Sequence, residues 1–404
     1  MKKVRFGIVG LGTRGKTLAE SLLEGNVKDG LLSAVYDIDS SQVLSSQIRS
    51  NQKKLSQKKL GQTELSQTEL SQTESNQSES NQSESNQVKI YNTSIDMFKS
   101  GKIDAVIIAT PHYFHPPLAM EAFSHKLHVM IESPAGVYTQ QVQEMNEAAA
   151  KSNVEFGIMY QHRTNKNYIN MRQMIHTGVL GKIKRTNWLV TDLSHTSLSH
   201  TSKPNHNTSS WRSTWKGEGG GILLNEAHHY LDLWQWICGM PSKVTAFCHE
   251  GKWHDIEVED DVTAYVEYPE SDICIKGATG VFIASTGEAP GTNRLEITGE
   301  LGKLVYEKGK LEFFQEIGLE EENKREVIRT KAKYPDHPGV LSAFVEAILG
   351  RSGQYIPGED GIKSLMLSNA MHLSAWLGKT IPLPLDDKMF LTELRKKFYN
   401  QEVL

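Results

Sequence analysis

The feature that most restricts this chain is a short apolar strand that runs straight into closely spaced glycines. Val4 to Val9 ends at Gly10-Leu11-Gly12-Thr13-Arg14-Gly15, after which Leu18, Ala19, Leu22 and Leu23 recur at helical spacing. A second strand, Leu31 to Tyr36, ends at Asp37, about 20 residues on, the interval at which a dinucleotide-binding βαβ unit places its acid. In such a unit Gly10 makes the tight turn, Gly12 lets backbone N–H groups approach a pyrophosphate, and Gly15 lets helix pack on strand. The helix N-terminus, opened by Thr13 and Arg14, stabilises the phosphate charge. Asp37 is expected to accept hydrogen bonds from the adenosine ribose hydroxyls and to repel a 2′-phosphate. This predicts NAD over NADP, with Arg14 as the neighbour able to tolerate a phosphate.

The rhythm continues through strands at 103–109, 129–131 and 156–159, with helical stretches at 117–123 and 140–151 between them. Alternating strand and helix specify a doubly wound parallel sheet, an α/β Rossmann domain over residues 1–161. Its ligand edge takes in Thr110, Pro111 and His115 after one strand, and Glu132, Ser133 and Pro134 after the next. Beyond 161, strands at 244–247, 262–268, 278–284, 295–298 and 303–306 follow one another without helices. Residues 162–404 are therefore expected to form an α+β domain with a large, mainly antiparallel, open-faced sheet.

One stretch breaks the pattern. Asn51 to Ser85 repeats in pentads such as Ser-Gln-Thr-Glu-Leu and Asn-Gln-Ser-Glu-Ser, within a low-complexity insert at 51–87. It contains too few apolar residues to offset its ordering entropy and reads as a solvent-exposed tract where the second helix would lie.

With 44 basic against 48 acidic residues the net charge is −4, which leaves no surplus for a nucleic-acid backbone. No apolar run is long enough to span a bilayer, and no signal-peptide core precedes the first strand. Cys238, Cys248 and Cys274 lack metal-ligand spacing, so the expectations are no metal and a reducing, cytoplasmic setting.

Gly219-Gly220-Gly221 opens a segment carrying Asn225, His228, His229 and Asp232. Together with the glycine fingerprint, Ala109-Thr110-Pro111 and Glu132-Ser133-Pro134, it makes the chain resemble the glucose-fructose oxidoreductase, inositol dehydrogenase and MocA family over its whole length apart from the pentads. The resemblance implies a dehydrogenase. Its segment at 132–134 usually reads Glu-Lys-Pro, commonly with a cis proline, and its helix usually carries Asp-x-x-x-His-x-x-Asp. Asn225, His229 and Asp232 take those helix positions, and their spacing predicts one shared helical face. His229 is the expected base for a hydroxyl proton, since a neutral imidazole suits that task; Tyr160 and His162 are weaker candidates. Ser133 and Asn225 depart from the pattern, each removing a charge.

Arg163, Trp211, Arg212, Trp215, His228 and Asp232 complete the expected substrate side: aromatic faces suit the C–H faces of a pyranose, and arginine suits its hydroxyls. Residues 191–210 read as a lid, and the acidic run Asp255 to Asp261 as a solvated strand entrance. The expected activity is NAD-dependent oxidation of a secondary hydroxyl on a sugar, cyclitol or glycoside, or reduction of the ketone, by a homodimer or homotetramer. The alternatives are an NAD-retaining enzyme that shuttles hydride on glycosides and a sensor weakened at Ser133 and Asn225.

Overall fold

A computed structural model describes residues 2–39, 88–191, 193, 212–315, 324–328, 336–351 and 353–399. The pentads, Trp211 and, except for Thr191 and Leu193, the expected lid lie outside the described residues.

The first sheet contains β1 (Val4–Val9), β2 (Gly30–Tyr36), β3 (Lys89–Ile90), β4 (Ala105–Ile108), β5 (His128–Ile131) and β6 (Phe156–Ile158) in the order β3-β2-β1-β4-β5-β6, with all pairs parallel. All four residues of β4 are buried, as expected for a strand covered on both faces. Helices α1 (Thr13–Leu23), α2 (Ser94–Lys99), α3 (His115–Ser124) and α4 (Thr139–Ser152) connect the strands, and α5 (Lys166–His176) leads into the second domain.

Nine strands make the second sheet: β7 (Ile183–Val190), β8 (Lys243–Glu250), β9 (Glu259–Glu267), β10 (Cys274–Ser285), β11 (Asn293–Gly299), β12 (Gly302–Glu307), β13 (Lys310–Gln315), β14 (Lys324–Ile328) and β15 (Ile381–Pro382). Their order is β14-β13-β12-β11-β7-β10-β9-β8-β15, and only the β7–β10 pair is parallel. The inner face (Trp188, Val190, Val262, Ala264, Phe282, Ala284, Leu295) is buried, while Phe247 and Tyr265 stand exposed on adjacent strands.

The helical layer of this domain comprises α6 (Trp215–Glu218), α7 (Ile222–Asn225), α8 (Ala227–Cys238), α9 (Asp336–Ile348), α10 (Gly361–Leu377) and α11 (Asp387–Tyr399). The chain after 162 does not stay in one domain: Val340, Leu341, Phe344 and Val345 of α9 pack with Phe6, Ile8, Leu18 and Leu22 in the first domain's core. That late return was illegible locally, because an amphipathic helix does not announce its partner. Among the described residues no helix is long and apolar enough to cross a membrane.

Candidate active site

The glycine turn closes at the carboxyl edge of β1. Gly10 has φ +93°, and a Cβ on Gly15 would lie 1.9 Å from the Gly10 carbonyl oxygen, so α1 can approach β1 only with glycine at 15. A Cβ on Gly12 would meet nothing within 4 Å, and Gly12, Thr13 and Arg14 are exposed. The open start of α1 therefore points its unpaired N–H groups outward. Asp37 reaches back to this turn, accepting from the backbone N–H of Leu11 and, at 2.8 Å, of Asp39.

Along the same edge Thr110 Oγ1 and Glu132 Oε1 are buried without a hydrogen-bond partner. Burial pushes the Glu132 carboxyl up to about 7 against the pull of Arg14. Orphaned polar atoms beside an open glycine turn fit a polar ligand with a phosphate group. The Ser133–Pro134 peptide is cis. His115, expected at the cofactor, is buried behind this edge, with ring nitrogens 2.9 Å from Pro134 O and 2.7 Å from Thr110 O. It ties the two edge loops together.

The segment 219–232 is two helices rather than one. Its chain breaks at Glu226 (φ −126°, ψ −41°) between α7 and α8. Asn225 therefore does not share a helical face with His229 and Asp232, as the spacing had predicted. The start of α7 is pressed against β9: a Cβ on Gly221 would lie 2.0 Å from Glu259 O, and Glu259 accepts from Gly221 N at 2.8 Å and Leu223 N at 3.0 Å. The acidic run does lead into β9 with Asp255 and Glu257 exposed, but Glu259 and Asp260 are fully buried, which corrects the solvated reading for those two. Asp260 instead accepts from the backbone N–H groups of Lys252, Trp253 and His254.

The first turn of α8 brings two histidines to the Rossmann edge. His228 Nε2 lies 3.0 Å from Ser133 Oγ, which donates to Met159 O at 3.1 Å. His229 is 6% exposed, its Nδ1 has no partner, and its ring stacks on His162 at 4.9 Å and 12°. Burial holds both histidines well below the ordinary imidazole range, with their neighbours' charges and Arg14 adding to the shift. His162 is pushed down to about 4 by burial. Arg14 is the common cation here: its field also reaches Glu226, whose carboxyl burial raises. Glu226 carries no sequence signal, since it marks a helix break that only tertiary packing sets.

Three expected substrate contacts are internal. Arg163 forks onto Asp232 at 2.6 and 2.8 Å and donates to Asp360 at 2.7 Å, with Arg163 and Asp232 both buried, so neither faces a ligand. Trp215 is 2% exposed and packs against His372 and Trp376. Tyr160 gives its hydroxyl to a 2.6 Å bond with Ser364, and burial raises it far above physiological pH, which leaves it no role as a base. Arg212 is partly exposed and pairs with Glu218 at 3.4 Å. Among the described residues no group of three or more His, Cys, Asp or Glu side chains is arranged to hold a metal.

Fold and edge together define a two-domain protein built on a dinucleotide-binding Rossmann sheet. Residues 4–160 match the oxidoreductase family model for an NAD-binding Rossmann fold, and residues 168–305 match the GFO/IDH/MocA C-terminal domain. The chain belongs to the GFO/IDH/MocA family. It is 27% identical to the rhizopine catabolism protein MocA of Rhizobium meliloti over 38% of this chain and 43% of that protein. It is 23% identical to levoglucosan dehydrogenase of Pseudarthrobacter phenanthrenivorans over 58% of this chain and 63% of that protein. The alignments thus span less than two thirds of either relative. In structure it is similar to the WlbA dehydrogenase of Chromobacterium violaceum solved with NADH and UDP-GlcNAcA, with a TM-score of 0.71 and 23% identity over 96% of this chain and 97% of that one.

Proposed function

We propose that this protein uses NAD to oxidise a secondary hydroxyl of a sugar, cyclitol or glycoside, or to reduce the matching ketone. The observation that carries the reading is His229: a buried imidazole whose Nδ1 has no partner, packed with His162 and His228 and within the field of Arg14. Gly10, Gly12, Thr13 and Arg14 would hold the pyrophosphate, Asp37 the adenosine ribose, and Thr110, Pro111, Glu132 and Pro134 the nicotinamide end. NAD supplies a hydride acceptor when bound. The chain supplies the rest: His229 takes the hydroxyl proton, and His162, stacked on its ring, holds the imidazole plane. Ser133 and His228, hydrogen-bonded to each other, present a polar pair where the family pattern usually reads lysine. Association into a homodimer or homotetramer is inferred through the second sheet's outer face, where Phe247 and Tyr265 are exposed.

The test is to mix the protein with NAD and a panel of sugars, cyclitols and glycosides and follow NADH absorbance. Turnover with added NAD supports the reading. Turnover without net NADH points to hydride shuttling, and tight NAD binding with no chemistry points to a sensor.

Two predictions arise here. Because burial depresses His229, its base form persists below the ordinary imidazole value; the acid limb of the kcat/KM profile for oxidation is expected below pH ~6.5. A limb centred at or above that value assigns the proton to another group. Asp37→Ser is expected to weaken NAD about tenfold, the loss of a charged acceptor, and to narrow its advantage over NADP. Calorimetry with each nucleotide reads both effects, and unchanged NAD affinity would remove Asp37 from the site.

A further inference from the structure

Glu218 ends α6 and is 1% exposed, yet no element of the sequence pattern requires an acid there. Its Oε2 accepts from Ser213 N at 2.6 Å and from Asn225 Nδ2 at 3.3 Å, and its Oε1 faces Arg212 at 3.4 Å. The other acceptor at the Asn225 nitrogen is Gly221 O, at 3.1 Å. Two acceptors at one end of an amide leave no ambiguity over which end is nitrogen. The carbonyl oxygen of Asn225 must therefore point the other way. Asn225 is half-buried and stands one residue before Glu226 and four before His229. The Glu218 carbonyl lies 3.3 Å from His112 Nδ1, in the loop after β4, so the pair belongs to the junction of the two domains.

We propose that Glu218 is a positioning residue of the active site: its buried carboxylate holds the Asn225 amide by nitrogen, so that Oδ1 is the fixed acceptor for a substrate hydroxyl. Glu218 Oε2 and Gly221 O, both acceptors only, fix the polarity together. An amide turned the other way would present N–H groups to a hydroxyl that must be freed to lose its proton. Burial raises the Glu218 carboxyl above the usual range and the charge of Glu259 adds to this, while the Ser213 N–H and Arg212 pull against it. The substrate half of this inference rests on the reading of the site as a sugar site.

The test uses the full chain as wild type, Glu218→Gln, Asn225→Asp and the double variant. Unfolding temperature is measured at pH 5 and pH 8, and kcat and KM with NAD and the best of D-glucose, methyl β-D-glucoside and myo-inositol. In Asn225→Asp two buried carboxyls touch, so one retains a proton above its unfolded pKa. Its deficit in unfolding temperature is expected to be small at pH 5 and to widen by pH 8, and the double variant should lose this pH dependence. Glu218→Gln is expected to raise KM about tenfold with kcat within about threefold, the mark of lost orientation rather than lost chemistry. An Asn225→Asp protein with the same deficit at both pH values, or a Glu218→Gln protein with wild-type KM, overturns the proposal. A wild type inert toward all three compounds, with the pH pattern present, overturns the sugar reading and leaves the Glu218–Asn225 contact supported.

Discussion

Replacing His229 by alanine should lower turnover by about 10²–10⁴-fold and leave NAD affinity within about threefold of wild type. The asymmetry follows from where the ring lies. His229 comes from α8 of the second domain, whereas the turn and the acid assigned to the dinucleotide come from β1, α1 and β2 of the first. Loss of the imidazole removes a proton acceptor but no pyrophosphate or ribose contact. The cavity left beside His162 and His228 costs some stability, so unfolding temperature is measured in parallel to separate chemistry from folding. His228→Ala gives the contrast, since His228 Nε2 is engaged with Ser133 Oγ. If His229→Ala keeps more than about a tenth of the activity, the proton leaves by another route. If it loses NAD, the ring is part of the cofactor site.

What the sequence disclosed and what it hid divide along one physical line. The glycine turn, the strands and the family motif were legible because local backbone requirements and hydrophobic period write themselves into adjacent residues. Arg163, Asp232, Trp215 and part of the acidic run were misread because burial, not residue type, decides whether a charge meets solvent or a partner. Arg163 finds Asp232 69 residues away and Asp360 197 residues away, and no local pattern records either. Glu218 and Glu259 were missed likewise: a carboxylate that organises a turn looks in sequence like any surface acid. Asn225 was placed on a shared face because local spacing does not record the helix break at Glu226.

Glu259 gives the largest stability effect expected of a single change. The side chain is 0% exposed and accepts from Gly221 N and Leu223 N, 38 and 36 residues earlier, while its Oε1 lies 3.0 Å from His372 Nε2, which is equally buried. Glu259→Ala strands two backbone donors and one imidazole at once, and is expected to cost about 3–5 kcal/mol, or roughly 10 °C in unfolding temperature. Glu259→Gln keeps one acceptor oxygen and should cost about half as much. The pH dependence has a fixed sign. Burial alone would raise this carboxyl, but the His372 charge and the N–H donors hold it below the usual range, so its contribution is full above about pH 4.5 and fades as the pH falls through the depressed value. Urea melts of wild type and Glu259→Ala at pH 7 and pH 4 should therefore converge in acid. Equal stability at pH 7 would mean that the Gly219–Leu223 turn holds itself. The expected loss would mean that the carboxylate on β9 fastens the start of α7 to the second sheet, in the segment that leads to His228 and His229.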